Sequence, residues 1–369
     1  MGDDLKDGYW QPGDVDGNRI VEQPALESQA DEIVGELSKE GESEKFHPYN
    51  VLSPDMVLEA IESTGRVTDA RMLALNSYEN RVYQIGIDGG EPIVAKFYRP
   101  NRWTLEQIQE EHDFVFFLSD CDIPVVTPFR DETEKSIFHY GGFAFALFPR
   151  KGGRAPELDN LDHLHQLGQF VGRIHVAGAN FPFEHRIKIS VERYARSSCA
   201  YLLKQGFIPP ELRDAFKAIT DQIIELLEAS SVDAATKISL HGDCHPGNIL
   251  WRDERPHFLD FDDALSGPAI QDLWMFLSGS RDQRVAQLDV IAEGYQVFQH
   301  FDKSQLSLIE PLRAMRVLHY NAWLARRWSD PAFPKSFPWF NTARYWSEHI
   351  LELKEVCSAL SEPPLQLSQ

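Results

Sequence analysis

His241-Gly242-Asp243-Cys244-His245-Pro246-Gly247-Asn248, followed by Phe258-Leu259-Asp260-Phe261-Asp262-Asp263, is the densest run of chemistry-bearing side chains in the sequence. Short apolar runs at 238–240, 249–251 and 257–259 read as strands, so the loop after the first of them and the end of the last share a rim. That rim carries Asp243, Asn248 and Asp260. Phosphoryl transfer asks for these residue types: a carboxylate near the attacking hydroxyl, and oxygen ligands for a metal that bridges phosphates. Asp243 suits the first task, Asn248 and Asp260 the second. Mg2+ prefers hard oxygen donors and keeps several waters, so two protein ligands suffice. His241 and His245 also admit a zinc reading, but a loop of this kind uses His as an internal brace. Asp262 and Asp263 are open between metal ligands and loop caps. Cys244 reads as a small buried hydrophobe.

A rim of this kind needs a scaffold, and the upstream sequence supplies one. Ser53-Pro54 is an N-cap followed by Pro at the first helical position. Residues 71–75 and 80–87 read as strands separated by Asn76-Ser77-Tyr78-Glu79, and after Asp88-Gly89-Gly90 a third strand covers 92–98. A helical period covers 103–118, and strands at 136–139 and 143–148 flank Gly141-Gly142. Beyond a connector at 149–154 the character turns helical: 160–176, 210–227, 272–277, and stretches within 282–298, 303–328 and 341–360. The predicted class is α+β, a small antiparallel sheet with one packed helix, then a larger helical part. The Trp and Phe stripe within 320–346 is assigned to core.

Composition limits the function classes. The 369 residues carry a net charge of −21, with 43% hydrophobic and 25% charged residues. Residues 1–45 hold 13 acidic and 4 basic side chains, a net −9, which leaves −12 for the rest. An acidic surface repels phosphate backbones and anionic lipid, so nucleic-acid and membrane partners are not expected. Residues 1–45 contain few large apolar groups and are expected to stay mobile. Asp14-Val15-Asp16-Gly17-Asn18 resembles a calcium loop, but Gly17 at the sixth position puts Pro12 first and Gln23 twelfth. Four scattered cysteines without a CxxC pair, no basic-then-apolar leader and no run of about 18 apolar residues point to the cytoplasm.

The pattern HxDxxxxN followed a dozen residues later by Asp resembles the catalytic signature of protein kinases and their relatives. In its HGDxHxxN form it is similar to the aminoglycoside phosphotransferase and choline kinase family. Longer strings narrow the resemblance to bacterial stress-response kinases acting on Ser and Thr. Among them are 75–83, 94–100, 241–253, 267–274, 311–316, 330–334 and 362–367. The resemblance covers about residue 50 to the end and implies a two-lobed, protein-kinase-like fold. Its lobes would span 46–148 and 149–369, with a hinge at about 148–154 and 1–45 as an extension.

Position by position, the resemblance implies ATP and Mg2+. Asp243 would accept the hydroxyl proton, with Asp260 also catalytic, and Asn248 and Asp260 would hold Mg2+. Lys96 would contact the α- and β-phosphates, Glu111 would pair with Lys96, and Ser77 would lie over the phosphates. Phe148 and Arg150 would offer hinge backbone to adenine, and Asp272 would brace the catalytic loop. Glu110, beside Glu111, is assigned to a solvated face. Two departures stand out: no GxGxxG covers the phosphates, and Asp260 is followed by Phe-Asp rather than Phe-Gly. The cover therefore falls to Ser77-Tyr78-Glu79-Asn80, and acceptor choice to the acidic groups of the helical part. The expected activity is a cytoplasmic, monomeric, autophosphorylating Ser/Thr protein kinase whose partners are ATP and a protein hydroxyl. The rivals are a kinase for amino alcohols, sugars or aminoglycosides, and a pseudokinase that binds nucleotide without turnover.

Overall fold

The structure is a computed structural model that describes residues 47–368. The acidic extension, including Asp14–Asn18, lies outside the described residues. Helix α1 (Pro54–Glu62) begins as expected, with Ser53 Oγ accepting from Met56 N and Pro at the first turn. Strands β1 (Thr68–Ala74), β2 (Arg81–Ile87) and β3 (Ile93–Phe97) follow. Helix α2 (Leu105–Asp120) opens with a capping box between Thr104 and Gln107. Strands β4 (Phe138–Tyr140) and β5 (Phe143–Pro149) complete a five-stranded antiparallel sheet of order β1-β2-β3-β5-β4. Strand β1 starts earlier than its predicted 71–75 because its register shifts between Thr68 and Met72, where Ala70 takes φ 62°. A bulge removes the period-two signal there.

The two faces of this sheet have different duties. Ile85, Ala95, Phe97, Phe145 and Leu147 pack with Val57, Ala60 and Ile61 of α1. Alternation along β3 therefore sends Lys96, between Ala95 and Phe97, to the opposite face.

The helical part is built from α3 (Leu161–Ala179), a π-helical turn (Glu192–Arg196) that runs into α4 (Ser197–Gln205), and α5 (Arg213–Ala229). Between helices lie β6 (Ile238–Leu240), β7 (Ile249–Arg252), β8 (Arg255–Phe258) and β9 (Leu265–Gly267), paired as β6–β9 and β7–β8. Then come α6 (Ile270–Trp274), α7 (Arg281–Gln296), α8 (Ile309–Arg327), α9 (Ala332–Ser336) and α10 (Ala343–Ala359). Helices α3 and α7 touch backbone to backbone: a Cβ on Gly168 would lie 2.2 Å from Ile291 O, and one on Gly294 2.0 Å from His165 O. Trp323, Phe333, Phe337, Phe340 and Trp346 are buried in one continuous core, as the stripe predicted. Helices α4 and α9 and strand β9 were not predicted; the last is three residues long and contains a Gly.

Candidate active site

A cavity of about 310 Å3 lies between the sheet and the helical part, lined by Ser77, Lys96, Glu111, Phe148, Leu250 and Asp260 among others. Its walls are largely apolar, with Val82, Val94, Val115 and Leu259 facing it, and its polar groups gather at Lys96. An apolar slot with a few convergent polar groups is the form of a small-ligand site. Arg150 is not part of the lining. Its Nε donates to Gln84 Oε1 at 2.8 Å on the exposed side, and Pro149 and Lys151 face the cavity instead.

Lys96 reaches the cavity from β3. Its Nζ is 2.9 Å from Asp260 Oδ1, 3.1 Å from Asp262 Oδ1 and 3.6 Å from Glu111 Oε1, in a side chain 7% exposed. Burial opposes its charge, yet the three carboxylates outweigh that and push its pKa well above the usual lysine value. Glu111 shows the converse: burial, opposed by Lys96 and reinforced by Asp262, pushes its carboxyl up to about 7. One ammonium shared among three acids explains both. Glu110 is not on a solvated face. It is buried and accepts the backbone N–H groups of Glu184, His185 and Arg186, tying α2 to the helical part.

Asp260 follows β8 with φ 58° and ψ 65°, the left-handed region, and its side chain is 46% exposed at the end of the cavity. A non-glycine residue there carries strain of order 1 kcal/mol. Asp243 and Asn248 sit in the loop between β6 and β7, linked to the cavity wall where Leu259 N donates to Asn248 O at 3.1 Å. Asn248 Nδ2 donates to Asp243 O at 3.0 Å. That leaves its Oδ1 to act as an acceptor, so Asn248 and Asp260 present the hard oxygens a Mg2+ ion would use.

Asp243 is buried. Its Oδ1 accepts from Arg316 Nη1 at 2.9 Å, while Oδ2 lies 3.3 Å from Asn248 Nδ2 and 3.4 Å from His245 Nε2. Burial works to raise its pKa, but His245 and Arg316 hold it well below the usual carboxylate range. Beneath the loop, Asp272 accepts from His241 N and Gly242 N, both at 2.9 Å, and lies 3.2 Å from His175 Nε2. Gly242 has φ 87°, and a Cβ there would meet Asp263 O at 2.1 Å, so only glycine fits. His241 Nε2 pairs with Leu259 O at 3.0 Å and His245 Nδ1 accepts from Gly247 N at 2.9 Å. Both imidazoles are braces, and among the described residues no group of three His, Cys, Asp or Glu forms a metal cage. Burial pushes the Cys244 thiol well up, as suits a small apolar residue.

Asp262 and Asp263 both meet a buried arginine. Arg102 bonds Asp262 through Nη1 and Asp263 through Nη2, the latter at 2.9 Å, and Asp262 also accepts from Asn80 Nδ2 at 3.0 Å. Burial opposes ionisation of Asp262, but Arg102 and Lys96 bring its pKa down to about 2.

The turn at 76–80 divides its work. Asn76 and Ser77 line the cavity, whereas Glu79 is buried toward α8. Glu79 Oε1 lies 2.7 Å from Arg99 Nε and 3.0 Å from Arg327 Nε, and Trp323 Nε1 donates to Oε2 at 2.6 Å. Asp330 holds Arg81 Nη2 and Arg99 Nη2, each at 2.9 Å. This clasp and the Arg316 contact were not foreseen. They join residues up to about 250 positions apart, and no local pattern announces them.

The comparisons with known proteins agree with this architecture. Residues 72–309 match the phosphotransferase enzyme family. The chain is 44% identical over 322 residues to stress response kinase A of Escherichia coli (strain K12), covering 87% of this chain and 97% of that protein. It is 43% identical over 321 residues to serine/threonine protein kinase RdoA of Salmonella typhimurium (strain LT2), again 87% and 97%. Among solved structures it is similar to an amicoumacin kinase in complex with AMP-PNP and Ca2+, at TM-score 0.66 and 18% identity over 85% of this chain and 94% of that one. A microcompartment-associated aminopropanol kinase gives TM-score 0.63 and 17% identity, covering 85% and 100%. At such identities the structural likeness speaks for the fold alone. That fold is the expected protein-kinase-like one.

Proposed function

We propose a function from one premise: the chain belongs to the phosphotransferase enzyme family. It is a phosphotransferase with an alcohol group as acceptor. Within that activity our reading is a Ser/Thr protein kinase of the stress response kinase A type that uses ATP and Mg2+ and phosphorylates itself. The observation that carries it is the meeting of Lys96, Glu111 and Asp260 within 3.6 Å at one end of an apolar cavity, beside the loop of Asp243 and Asn248.

In this reading adenine lies between the apolar walls near Phe148, and Lys96 neutralises phosphate charge with Glu111 fixing its position. Ser77 covers the phosphates from the turn. Asn248 and Asp260 would hold Mg2+, which supplies charge neutralisation on the phosphate oxygens. Asp243 orients the acceptor hydroxyl and takes its proton late. A carboxylate held so acidic is a poor base in the ground state, and phosphoryl transfer with a loose transition state relies chiefly on positioning. The division at about 148–154 into an ATP-binding part and a catalytic part, a monomeric state and a cytoplasmic location belong to the same reading. Among the described residues no helix is long and apolar enough to cross a membrane.

The relatives named as stress response and Ser/Thr kinases favour a protein acceptor over an amino alcohol, sugar or aminoglycoside. The test is a single screen with labelled ATP in which choline, homoserine, aminoglycosides and protein substrates compete. Label on protein Ser or Thr supports the reading. Label only on a small molecule replaces it, and ATP binding with no transfer to any acceptor leaves the pseudokinase.

A further inference from the structure

The turn at 76–80 contains no glycine, so its position owes less to backbone freedom than to what its far end holds. Asn76 and Ser77 line the cavity, whereas Asn80, the last residue before β2, is buried outside that lining. Its Oδ1 accepts from Arg99 N at 3.1 Å, which carries the β2–β3 pairing one step beyond Arg81 and Phe97. Its Nδ2 donates to Asp262 Oδ2 at 3.0 Å, leaving the sheet for a residue 182 positions along the chain. A backbone N–H on one side and a carboxylate on the other admit a single amide orientation, which neither Asp nor Leu can reproduce.

Asp262 is a firm anchor for that amide. Arg102 Nη1 bonds the same carboxylate, Lys96 Nζ lies 3.1 Å from Oδ1, and Arg186 Nη2 donates to the backbone O. Arg186 Nε reaches Ala264 O at 2.7 Å. Both arginines are buried and lie over Trp103, Arg102 at 5.3 Å and Arg186 at 4.1 Å from its ring centroid. The 260–264 segment is therefore gripped by its side chains and by its backbone, and Asp260 stands at its head. One bond, Asn80 to Asp262, thus ties the turn that carries Ser77 to the segment that carries Asp260.

We propose that Asn80 is a positioning residue for phosphoryl transfer: through Asp262 it sets the cover over the phosphates and the metal side of the site as one piece. The inference rests on reading the cavity as the ATP site. The bond is buried and its acceptor is charged, which makes it strong and intolerant of a missing partner. Neither partner lies on β5, where Phe148 flanks the adenine. Loss of the bond is therefore felt by the phosphates and not by the base.

The experiment uses the full chain and calorimetric affinities for adenosine and for AMP-PNP with Mg2+, taken well below each variant's denaturation midpoint. Asn80→Ala should bind AMP-PNP about tenfold more weakly, the worth of one hydrogen bond to a charged acceptor, while binding adenosine as the parent does. In transfer assays the same variant should show the loss in KM for ATP rather than in kcat. Asn80→Asp sets two carboxylates face to face and should be weaker still for AMP-PNP. Its cost should shrink by about tenfold when Asp262→Asn is already present, because a donor again meets an acceptor. Unchanged AMP-PNP affinity in Asn80→Ala overturns the proposal. Equal losses for adenosine and AMP-PNP make Asn80 merely structural and overturn it too, as does an Asn80→Asp cost that is the same in both backgrounds. A parent chain that binds neither ligand overturns the reading of the cavity along with the proposal.

Discussion

Lys96 Nζ lies 2.9 Å from Asp260 Oδ1 and 3.6 Å from Glu111 Oε1, so the lysine leans toward the residue assigned to the metal rather than its partner on α2. Three acids compete for one ammonium, and Glu111, the most deeply desolvated of them, holds its proton up to about 7.

The first prediction follows from that sharing. An acid whose pKa rises from 4.5 to about 7 on folding contributes stability that is complete below 4.5 and lost as pH rises through 7. Glu111→Gln keeps the neutral form at every pH. Denaturation of the ligand-free protein should therefore show the variant gaining on the parent between pH 5 and 8, while phosphoryl transfer falls because Lys96 loses its charged partner. A parallel pH dependence in the two proteins would contradict the assignment.

Asp272 yields the second. It is fully buried and accepts two backbone N–H groups of the catalytic loop. Asp272→Ala leaves those donors and His175 without their acceptor, at about 1–3 kcal/mol for each unsatisfied group. Urea denaturation should show a loss of about 3 kcal/mol or more, and transfer should fall with it. Asp272→Asn, which retains one acceptor oxygen, should lie between. Full stability in the alanine variant would mean the loop is held by other contacts.

The third concerns the clasp. Glu79→Ala removes the shared partner of Arg99, Arg327 and Trp323. Breaking a buried ion pair on one side costs about 3–5 kcal/mol, and the turn carrying Ser77 should loosen. We expect a lower denaturation midpoint together with a raised KM for ATP. A stability loss with unchanged KM would make the clasp purely structural.

The catalytic loop was legible because phosphoryl transfer compresses its oxygen ligands into one short pattern, so Asp243, Asn248 and Asp260 needed no tertiary information, whereas Asp272 came only with the family resemblance. Lys96 and Glu111 came from the family resemblance, with the apolar run before Lys96 on its strand and the helix that follows as local support. Glu110 was misread as solvated because a helix period cannot tell a water-facing carboxylate from one that caps a distant loop at residues 184–186. Arg102, Arg316 and Asp330 were invisible for a related reason. Each pairs with a residue about 70 to 250 positions away, and an isolated arginine looks like surface until its carboxylate is located. The bulge at Ala70 and the three-residue strand β9 escaped because their backbones follow no period.

The central claim is that Asp243 serves transfer rather than nucleotide binding or folding. The direct measurement is transfer of labelled phosphate from ATP in the presence of Mg2+ by Asp243→Asn beside the parent chain, with ATP affinity and denaturation midpoint recorded on the same samples. The account predicts a fall in the transfer rate of roughly two to four orders of magnitude with ATP affinity and fold retained. Transfer at the parent rate by a folded Asp243→Asn chain would contradict it.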